Sequence, residues 1–106
     1  MADLNSIFAN MGDRFQADKA GDLDLTIFFD LTGDSAAQWH ASIANGELSY
    51  GEGSVDSPTA TLSMDADEFE AMSKGELNPM MAFMSGKIKV DGDLNAVMKF
   101  QSLVGL

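Results

Sequence analysis

The sequence of 106 residues contains no cysteine, so it can form neither a disulfide framework nor a thiolate metal site. It also lacks any apolar run near the roughly 18 residues that a membrane-spanning helix requires. The first residues, MADLNS, have no basic segment followed by an apolar one, so we expect no signal peptide. These absences suit a reducing compartment, and we expect a cytoplasmic location. The length predicts a single domain over residues 1–106.

Basic side chains are scarce in this chain. Six Lys and Arg residues stand against 17 Asp and Glu residues, which gives a formal net charge of −11. The imbalance lies in residues 1–70, whose balance is −12, whereas residues 71–106 have a balance of +1. Nucleic acids require a basic surface for their phosphates, so this composition argues against nucleic acid as a partner. It argues in the same way against firm docking on an anionic membrane.

The first two thirds of the chain predict a helix followed by strands. Apolar residues recur at helical spacing behind an N-cap at Asp3, which predicts a helix over residues 4–18. From Leu23 the apolar period changes to two, as in a strand. The dipeptide Asn45-Gly46 is typical of a hairpin turn. Strands are therefore expected over residues 23–31, 38–43, 48–50 and 59–64, the first three in antiparallel order.

The last third of the chain predicts three helices and one further strand. Residues that favour helix starts and glycines that end helices mark the boundaries. The expected elements are a short helix from Asp65 to Gly75, a methionine-rich helix from Asn78 to Gly86, a strand over residues 87–91 and a helix over residues 94–104. Five period-two segments between helical ones predict an α/β fold of the α+β type. We expect a five-stranded, largely antiparallel sheet with helices covering one face.

No motif for catalysis or metal binding emerges. His40, the sole histidine, lies on the polar side of a strand without an accompanying nucleophile, so we expect a surface or cross-strand role. The run from Asp91 to Asn95 imitates the start of a calcium loop, but Ala96 and Ser102 stand where that loop needs Gly and Glu. The carboxylates are scattered, so no pair of them indicates general acid–base catalysis. We therefore expect a protein that is not an enzyme and holds neither cofactor nor metal.

Two features indicate an apolar ligand. Six of the eight methionines lie at or beyond position 64, and methionine-rich surfaces adapt to varied apolar ligands, although methionine also fills irregular cores. Gln101 lies on the apolar stripe of the last helix, in line with Leu94 and Val97. A buried amide without a partner costs roughly 1–3 kcal/mol. Gln101 is therefore expected either to bond to the backbone or to meet a ligand head group.

The run FMSGKIKVDGD, from Phe83 to Asp93, is a fairly specific pattern, and Pro58, Phe69 and Met98 add weaker matches. On these residues the chain resembles the sterol carrier protein-2 (SCP-2) family over nearly its whole length. The resemblance implies an internal hydrophobic tunnel that takes sterols, fatty acids, acyl-CoAs, isoprenoids or other lipids. It also implies lipid contact for Phe69, Met72, Phe83, Met84, Met98, Phe100 and Gln101. Helix periodicity adds Leu77, Met80, Met81, Val97 and Val104 to the expected lining.

The leading hypothesis is a non-enzymatic lipid carrier that makes transient membrane contact, as a monomer or homodimer. One alternative is an interaction module whose apolar groove receives a partner helix or a second copy. Another is an accessory domain that presents a lipid to separate enzymes. The ending Val104-Gly105-Leu106 lacks the basic residue of a peroxisomal tripeptide, so we expect a stand-alone bacterial member. We also expect the C-terminal helix to act as a lid that swings at Gly92.

Overall fold

The computed structural model describes residues 3–34 and 36–105. The helices are α1 (Leu4–Arg14), α2 (Ala17–Ala20), α3 (Ala66–Ser73), α4 (Pro79–Met84) and α5 (Leu94–Val104). The strands are β1 (Leu25–Thr32), β2 (Ala37–Ala44), β3 (Glu47–Glu52), β4 (Ala60–Asp65) and β5 (Lys89–Gly92). Most bounds agree with the prediction to within two residues, and the predicted helix over residues 94–104 is confirmed.

The strands form one sheet in the order β3-β2-β1-β4-β5. Every neighbouring pair is antiparallel except β1 and β4, which run parallel. Thr59 anchors the parallel pair, because its N–H donates to the Thr26 carbonyl at 2.8 Å. In return the Thr26 N–H donates to the Thr59 hydroxyl oxygen at 3.0 Å. The predicted α/β fold with a five-stranded, largely antiparallel sheet is confirmed.

The predicted helix over residues 4–18 is wrong at its C-terminal end. Helix α1 stops after Arg14 because Phe15 adopts an extended backbone, with φ −62° and ψ 127°. The chain restarts as the single turn α2, where the Gln16 N–H donates to the Leu103 carbonyl at 3.0 Å. This bond ties the start of α2 to the end of α5. The break is invisible in the sequence because Phe15 continues the apolar spacing of α1.

The predicted N-cap Asp3 is confirmed, and Asp65, Asn78 and Asp93 cap α3, α4 and α5 in the same way. Each of these side chains accepts at least one backbone N–H from the first turn of its helix. Such bonds satisfy donors that a helix start otherwise leaves unpaired. At Asp3, the hydrogen bonds from the hydroxyl and backbone N–H of Ser6 lower the pKa of the carboxyl below its usual 3.8.

The strands bury every second residue on one face of the sheet, where the helices pack. Strand β1 alternates buried and half-buried positions from Leu25 to Leu31, and β4 does so from Ala60 to Met64. The buried strand and helix residues form one hydrophobic core. The opposite face is only half-buried and carries Phe28 in register with His40. The sheet therefore has one core face and one outer face, as the alternation predicts.

An aromatic cluster, defined as Phe8, Phe29, Trp39, Phe69 and Phe100, fills the centre of the core. Phe8 stacks on Trp39 with ring centroids 4.6 Å apart and meets Phe29 edge-on at 5.2 Å. Phe29 also contacts Phe69 at 5.5 Å and Phe100 at 5.6 Å. The cluster thereby joins α1, α3 and α5 to the middle of the sheet, and it fixes where α5 lies.

Candidate functional site

An apolar groove lies between α4 and α5, above the core face of β5. It encloses about 370 Å³, which falls in the range of roughly 300–1,000 Å³ that is usual for small-molecule sites. The groove is partly open to solvent. Its lining residues are Asn78, Pro79, Met80, Phe83, Ile88, Val90, Leu94, Val97, Met98, Gln101 and Ser102.

Helix α4 forms one wall of the groove. Asn78 caps it by accepting the N–H groups of Met80 and Met81 at 2.9 and 3.2 Å, and Pro79 occupies the first helical position. The helix turns Ala82 into the core and presents Met80 and Phe83 to the groove.

The segment after α4 returns beneath that helix. The Ala82 carbonyl accepts the N–H groups of Lys87 at 2.9 Å and Ile88 at 3.4 Å. These bonds place Ile88 at the floor of the groove, where it is buried and is followed by Val90 on β5. The short loop therefore closes the groove from below.

Helix α5 forms the other wall and has two apolar sides. Its core side buries Phe100, Leu103 and Val104. Its groove side presents Met98 at the rim and Val97 at depth, where Val97 is 3% exposed and also belongs to the core. One helix thus completes the hydrophobic core and supplies the binding surface, which explains why apolar residues surround more than half of it.

The polar atoms of the groove come from three uncharged side chains. Asn78 lies at the start of α4, and Gln101 and Ser102 lie in the C-terminal half of α5. None of the eleven lining residues is ionisable. Gln101 is half-buried, and its side-chain amide makes no hydrogen bond to any residue within 3–34 and 36–105. The amide is therefore available to a polar ligand group, as is the exposed hydroxyl of Ser102, whereas Asn78 is already engaged in capping.

The twelve residues predicted to contact lipid divide into three groups. Five of them line the groove: Met80, Phe83, Val97, Met98 and Gln101. Four lie in the hydrophobic core and do not line the groove, and each is at most 2% exposed: Phe69, Met72, Phe100 and Val104. Three lie elsewhere: Met81 and Met84 face solvent, and Leu77 lines a separate cleft beside α3. The lipid contacts themselves stay predictions for all twelve.

The four predicted lipid-contact residues that lie in the core instead of the groove have a simple physical explanation. Periodicity identifies apolar positions on a helix but does not distinguish a side that meets the core from a side that meets a groove. Phe69 and Phe100 are the partners of Phe29 in the aromatic cluster, so they are surrounded by protein.

Six lining residues were not among those predicted. They are Asn78, Pro79, Ile88, Val90, Leu94 and Ser102. Leu94 shares the stripe of Val97 and Gln101, so the spacing contained a signal for it. Ile88 and Val90 alternate on a predicted strand, which identified them as core without indicating that the core is open there.

The expected swing of α5 at Gly92 disagrees with the structure in two ways. The core side of α5 is buried through Phe100, Leu103 and Val104, and exposing each such side chain costs about 1.5–3 kcal/mol. Gly92 adopts φ +97°, and a Cβ placed there would lie 2.7 Å from the Thr59 carbonyl oxygen. This glycine therefore permits a close strand contact and does not act as a loose joint.

The described part of the chain contains no group of three His, Asp or Glu side chains that could hold a metal ion. His40 lies on the outer face of the sheet, where its Nδ1 is 3.1 Å from the Gly53 carbonyl oxygen. Within the described residues, no helix has the length and apolar character needed to cross a membrane.

Comparison with known proteins assigns the chain to a family. The profile of the SCP-2 sterol transfer family matches residues 4–105. The chain belongs to this family, which confirms the resemblance seen in the sequence. The general function of the domain is accordingly lipid binding and transfer, as predicted, and its use purely as an interaction module is not favoured.

Similar domains occur within larger proteins. Hydroxysteroid dehydrogenase-like protein 2 of Xenopus tropicalis is 35% identical over 78 residues, which are 73% of this chain and 19% of that protein. The chain thus spans about a fifth of this relative. A double mutant of the sec-alkyl sulfatase PisA1 has a TM-score of 0.84 at 23% identity, over 93% of this chain and 16% of the sulfatase.

A structure of more similar length gives the same fold. Palmitated SCP2L2 of Aedes aegypti has a TM-score of 0.78 at 18% identity, over 100% of this chain and 96% of that one. At these identities the two solved structures establish the fold alone. The activities in the names of the dehydrogenase-like protein and the sulfatase are those of the larger proteins.

Proposed function

We propose that this domain holds the hydrocarbon part of one lipid in the groove between α4 and α5 and performs no chemistry on it. The observation that carries the proposal is an apolar groove of about 370 Å³ with no ionisable lining residue. Such a surface offers burial to a hydrocarbon chain but supplies no general acid or base to a reaction. Its one hydroxyl, that of Ser102, has no base in the lining to activate it as a nucleophile.

Burial of a chain supplies the affinity. Each CH₂ group removed from water contributes about 0.8 kcal/mol, so a twelve-carbon chain gains several kcal/mol after the cost of ordering it. This favours a dissociation constant near micromolar, which corresponds to roughly −8 kcal/mol.

The proposed ligand is a lipid of the fatty-acid, sterol or isoprenoid class. The palmitate carried by the mosquito SCP2L2 supports a chain-like ligand on this fold. In the proposed arrangement Met80, Phe83, Val97 and Met98 contact the hydrocarbon. Gln101 meets the polar end, because its amide is unpaired among the described residues. Phe69, Met72, Phe100 and Val104 support the groove from the core and meet lipid only if the core opens.

The remaining parts of the proposal concern the cellular location, the domain organisation and the membrane contact of the protein. We propose a lipid carrier in the cytoplasm that folds as one domain over residues 1–106 and contacts membranes transiently. Presentation of the lipid to separate enzymes is a second candidate, and the placement of similar domains within larger proteins named as a dehydrogenase-like protein and a sulfatase favours it.

A titration with a fluorescent fatty acid tests the groove. Phe83→Asp places a charge on the apolar wall, and we expect a loss of affinity of about tenfold or more, because the charge must be desolvated when lipid binds. Ala9→Asp is the matched control, since Ala9 is exposed on α1 away from the groove. Absence of saturable binding to the unaltered protein up to about the millimolar range, or equal loss in both variants, would contradict the proposal.

Native mass spectrometry of the purified protein provides an independent test. A co-purified lipid released by denaturation supports the carrier. A ligand-free dimer supports the interaction module and opposes the carrier.

A further inference from the structure

We propose that the outer side of α4 is the surface through which this domain docks on a phospholipid membrane while a lipid enters or leaves the groove. The proposal rests on the proposed carrier function and adds the place of contact. It rests chiefly on Met81 and Met84, which serve neither the core nor the groove wall.

Helix α4 has apolar side chains toward the core, toward the groove and toward solvent. Only the first two of these sides have a role inside the domain. Ala82 packs into the core, and Met80 and Phe83 line the groove. Met81 and Met84 point the other way and are 68% and 78% exposed. A six-residue helix that is apolar all round is unusual at a solvent-facing position, because its outer side gains nothing from folding.

The exposed apolar residues are gathered at the mouth of the groove. Within the described part of the chain, six of the seven exposed large hydrophobic residues lie on α4 or the first half of α5: Met80, Met81, Phe83, Met84, Leu94 and Met98. We call these six residues the docking face. Single exposed apolar residues are common, whereas a contiguous group marks an interaction surface. Contact at this position would place the groove opening against its partner.

The charge around the docking face fits phospholipid head groups. Residues 77–105 contain Lys87, Lys89 and Lys99 against Asp91 and Asp93, a balance of +1. Lys87 lies 3.5 Å from the carboxylate of Glu68 on α3. This contrasts with the net charge of −11 for the whole chain. The docking face therefore carries little net charge, and it does not repel the head groups of a zwitterionic phospholipid bilayer.

A second copy is a less suitable partner for the same reason. Two chains of −11 each would repel one another at low salt, whereas a zwitterionic bilayer has no net charge to repel either of them. A phospholipid membrane offers an apolar interior to the methionine side chains and phosphate groups to the lysines. Methionine side chains are flexible and adapt to a fluid surface, and the resulting contact would be shallow and reversible, as a carrier cycle requires.

A single fluorescent label tests the contact directly. Because the chain has no cysteine, Met84→Cys and Ser54→Cys each give one labelling site. Ser54 is exposed in the loop after β3 and serves as the control. With phosphatidylcholine vesicles we expect an environment-sensitive dye to shift to the blue at position 84 and to keep its spectrum at position 54. No shift at position 84, or equal shifts at both positions, would overturn the proposal.

Transfer kinetics test the functional consequence. The double variant Met81→Gln, Met84→Gln is expected to slow transfer of a fluorescent fatty acid from phosphatidylcholine vesicles by about tenfold. It should weaken binding of the same probe from solution far less, because neither side chain lines the groove. The double variant Ala9→Gln, Ala17→Gln, at exposed positions on α1 and α2, is the control. A native transfer rate in the methionine variant overturns docking through α4.

The two experiments separate this inference from the carrier function. If the unaltered protein binds no fatty acid from solution, the proposed function fails, whereas the dye shift at position 84 still reports docking. If the protein binds fatty acid but the dye is unresponsive, the carrier stands and the docking face is wrong. Concentration-dependent dimerisation that Met84→Gln abolishes, without a response to vesicles, also overturns the membrane proposal.

Discussion

The two ends of the helical layer use large apolar side chains in opposite ways. Around Phe8, Phe29 and Trp39 the side chains interlock between three helices and the sheet, and they are almost inaccessible to solvent. Around α4 the residues Met80 and Phe83 are half exposed beside an open groove. The aromatic cluster consists of rigid rings in edge and stacked contacts, whereas the groove has flexible methionines on its rim.

The difference teaches where stability and binding are separated in a domain of this size. A domain of about 100 residues buries only roughly two thirds of its unfolded surface, so it has little apolar area to spare. Here the aromatic cluster supplies the packing that holds the fold. Helix α4 buries only Ala82 and can leave its methionines for a ligand. Helix α5 belongs to both regions, which makes it the best place to test the separation.

Removing residues 94–106 should have the largest effect. The truncation deletes Phe100 from the aromatic cluster together with the buried Leu103 and Val104. Each such side chain contributes about 1.5–3 kcal/mol, so the loss of three is comparable with a typical domain stability of about 5–15 kcal/mol. The truncation also exposes the sheet face that α5 covers, which adds to the loss. We expect an unfolded chain by circular dichroism. A folded sheet that has merely lost lipid would instead restore the lid hypothesis.

Phe29→Ala should break the aromatic cluster while leaving the groove lining intact. Phe29 is fully buried and contacts three other rings, so the substitution is expected to cost about 3–5 kcal/mol. Met84→Ala, at a position 78% exposed, should change stability by less than about 0.5 kcal/mol. Urea denaturation measures both values. Similar costs in the two variants would show that the two regions do not differ as described.

Gly92→Ala probes the junction between the two regions. The φ of +97° disfavours any side chain, and the new Cβ would lie 2.7 Å from the carbonyl oxygen of Thr59, the residue before β4. We expect a loss of about 1–3 kcal/mol from backbone strain and displacement of β5. A thermal melt measures it, with Gly46→Ala as a control that has the same strained φ sign but open space around it. Equal effects would mean that strain alone, without the strand contact, sets the cost.

Gln101→Leu should have the smallest effect on stability and a clear effect on ligand choice. The half-buried amide has no partner among the described residues, so its removal is expected to change stability by less than about 0.5 kcal/mol. Loss of its hydrogen bond to a polar head group should lower the preference for a fatty alcohol over the matching alkane by about tenfold. Competition against a fluorescent fatty acid measures that preference. A large loss of stability with an unchanged order of ligands would assign Gln101 to the core.

Local sequence patterns predicted most of the helices and strands of the fold. Period-two spacing marked the strands, and Asp3, Asp65, Asn78 and Asp93 cap the helices where the sequence indicated, because capping depends on residues three positions apart. The pattern from Phe83 onward also identified the family correctly. The end of α1 is the exception, since the extended Phe15 reflects the distant bond between Gln16 and Leu103.

The candidate site depended on contacts that no local pattern contains. The sequence identified Val97 and Phe100 as apolar residues of one helix, and only the packing of α5 against Phe29 directs Phe100 to the core and Val97 toward the groove. The parallel pairing of β1 with β4 was likewise decided by long-range hydrogen bonds. Residue type and spacing determine which surfaces must leave water. Which of those surfaces meet protein, and which are left for a ligand, depends on how separate elements fit together in three dimensions.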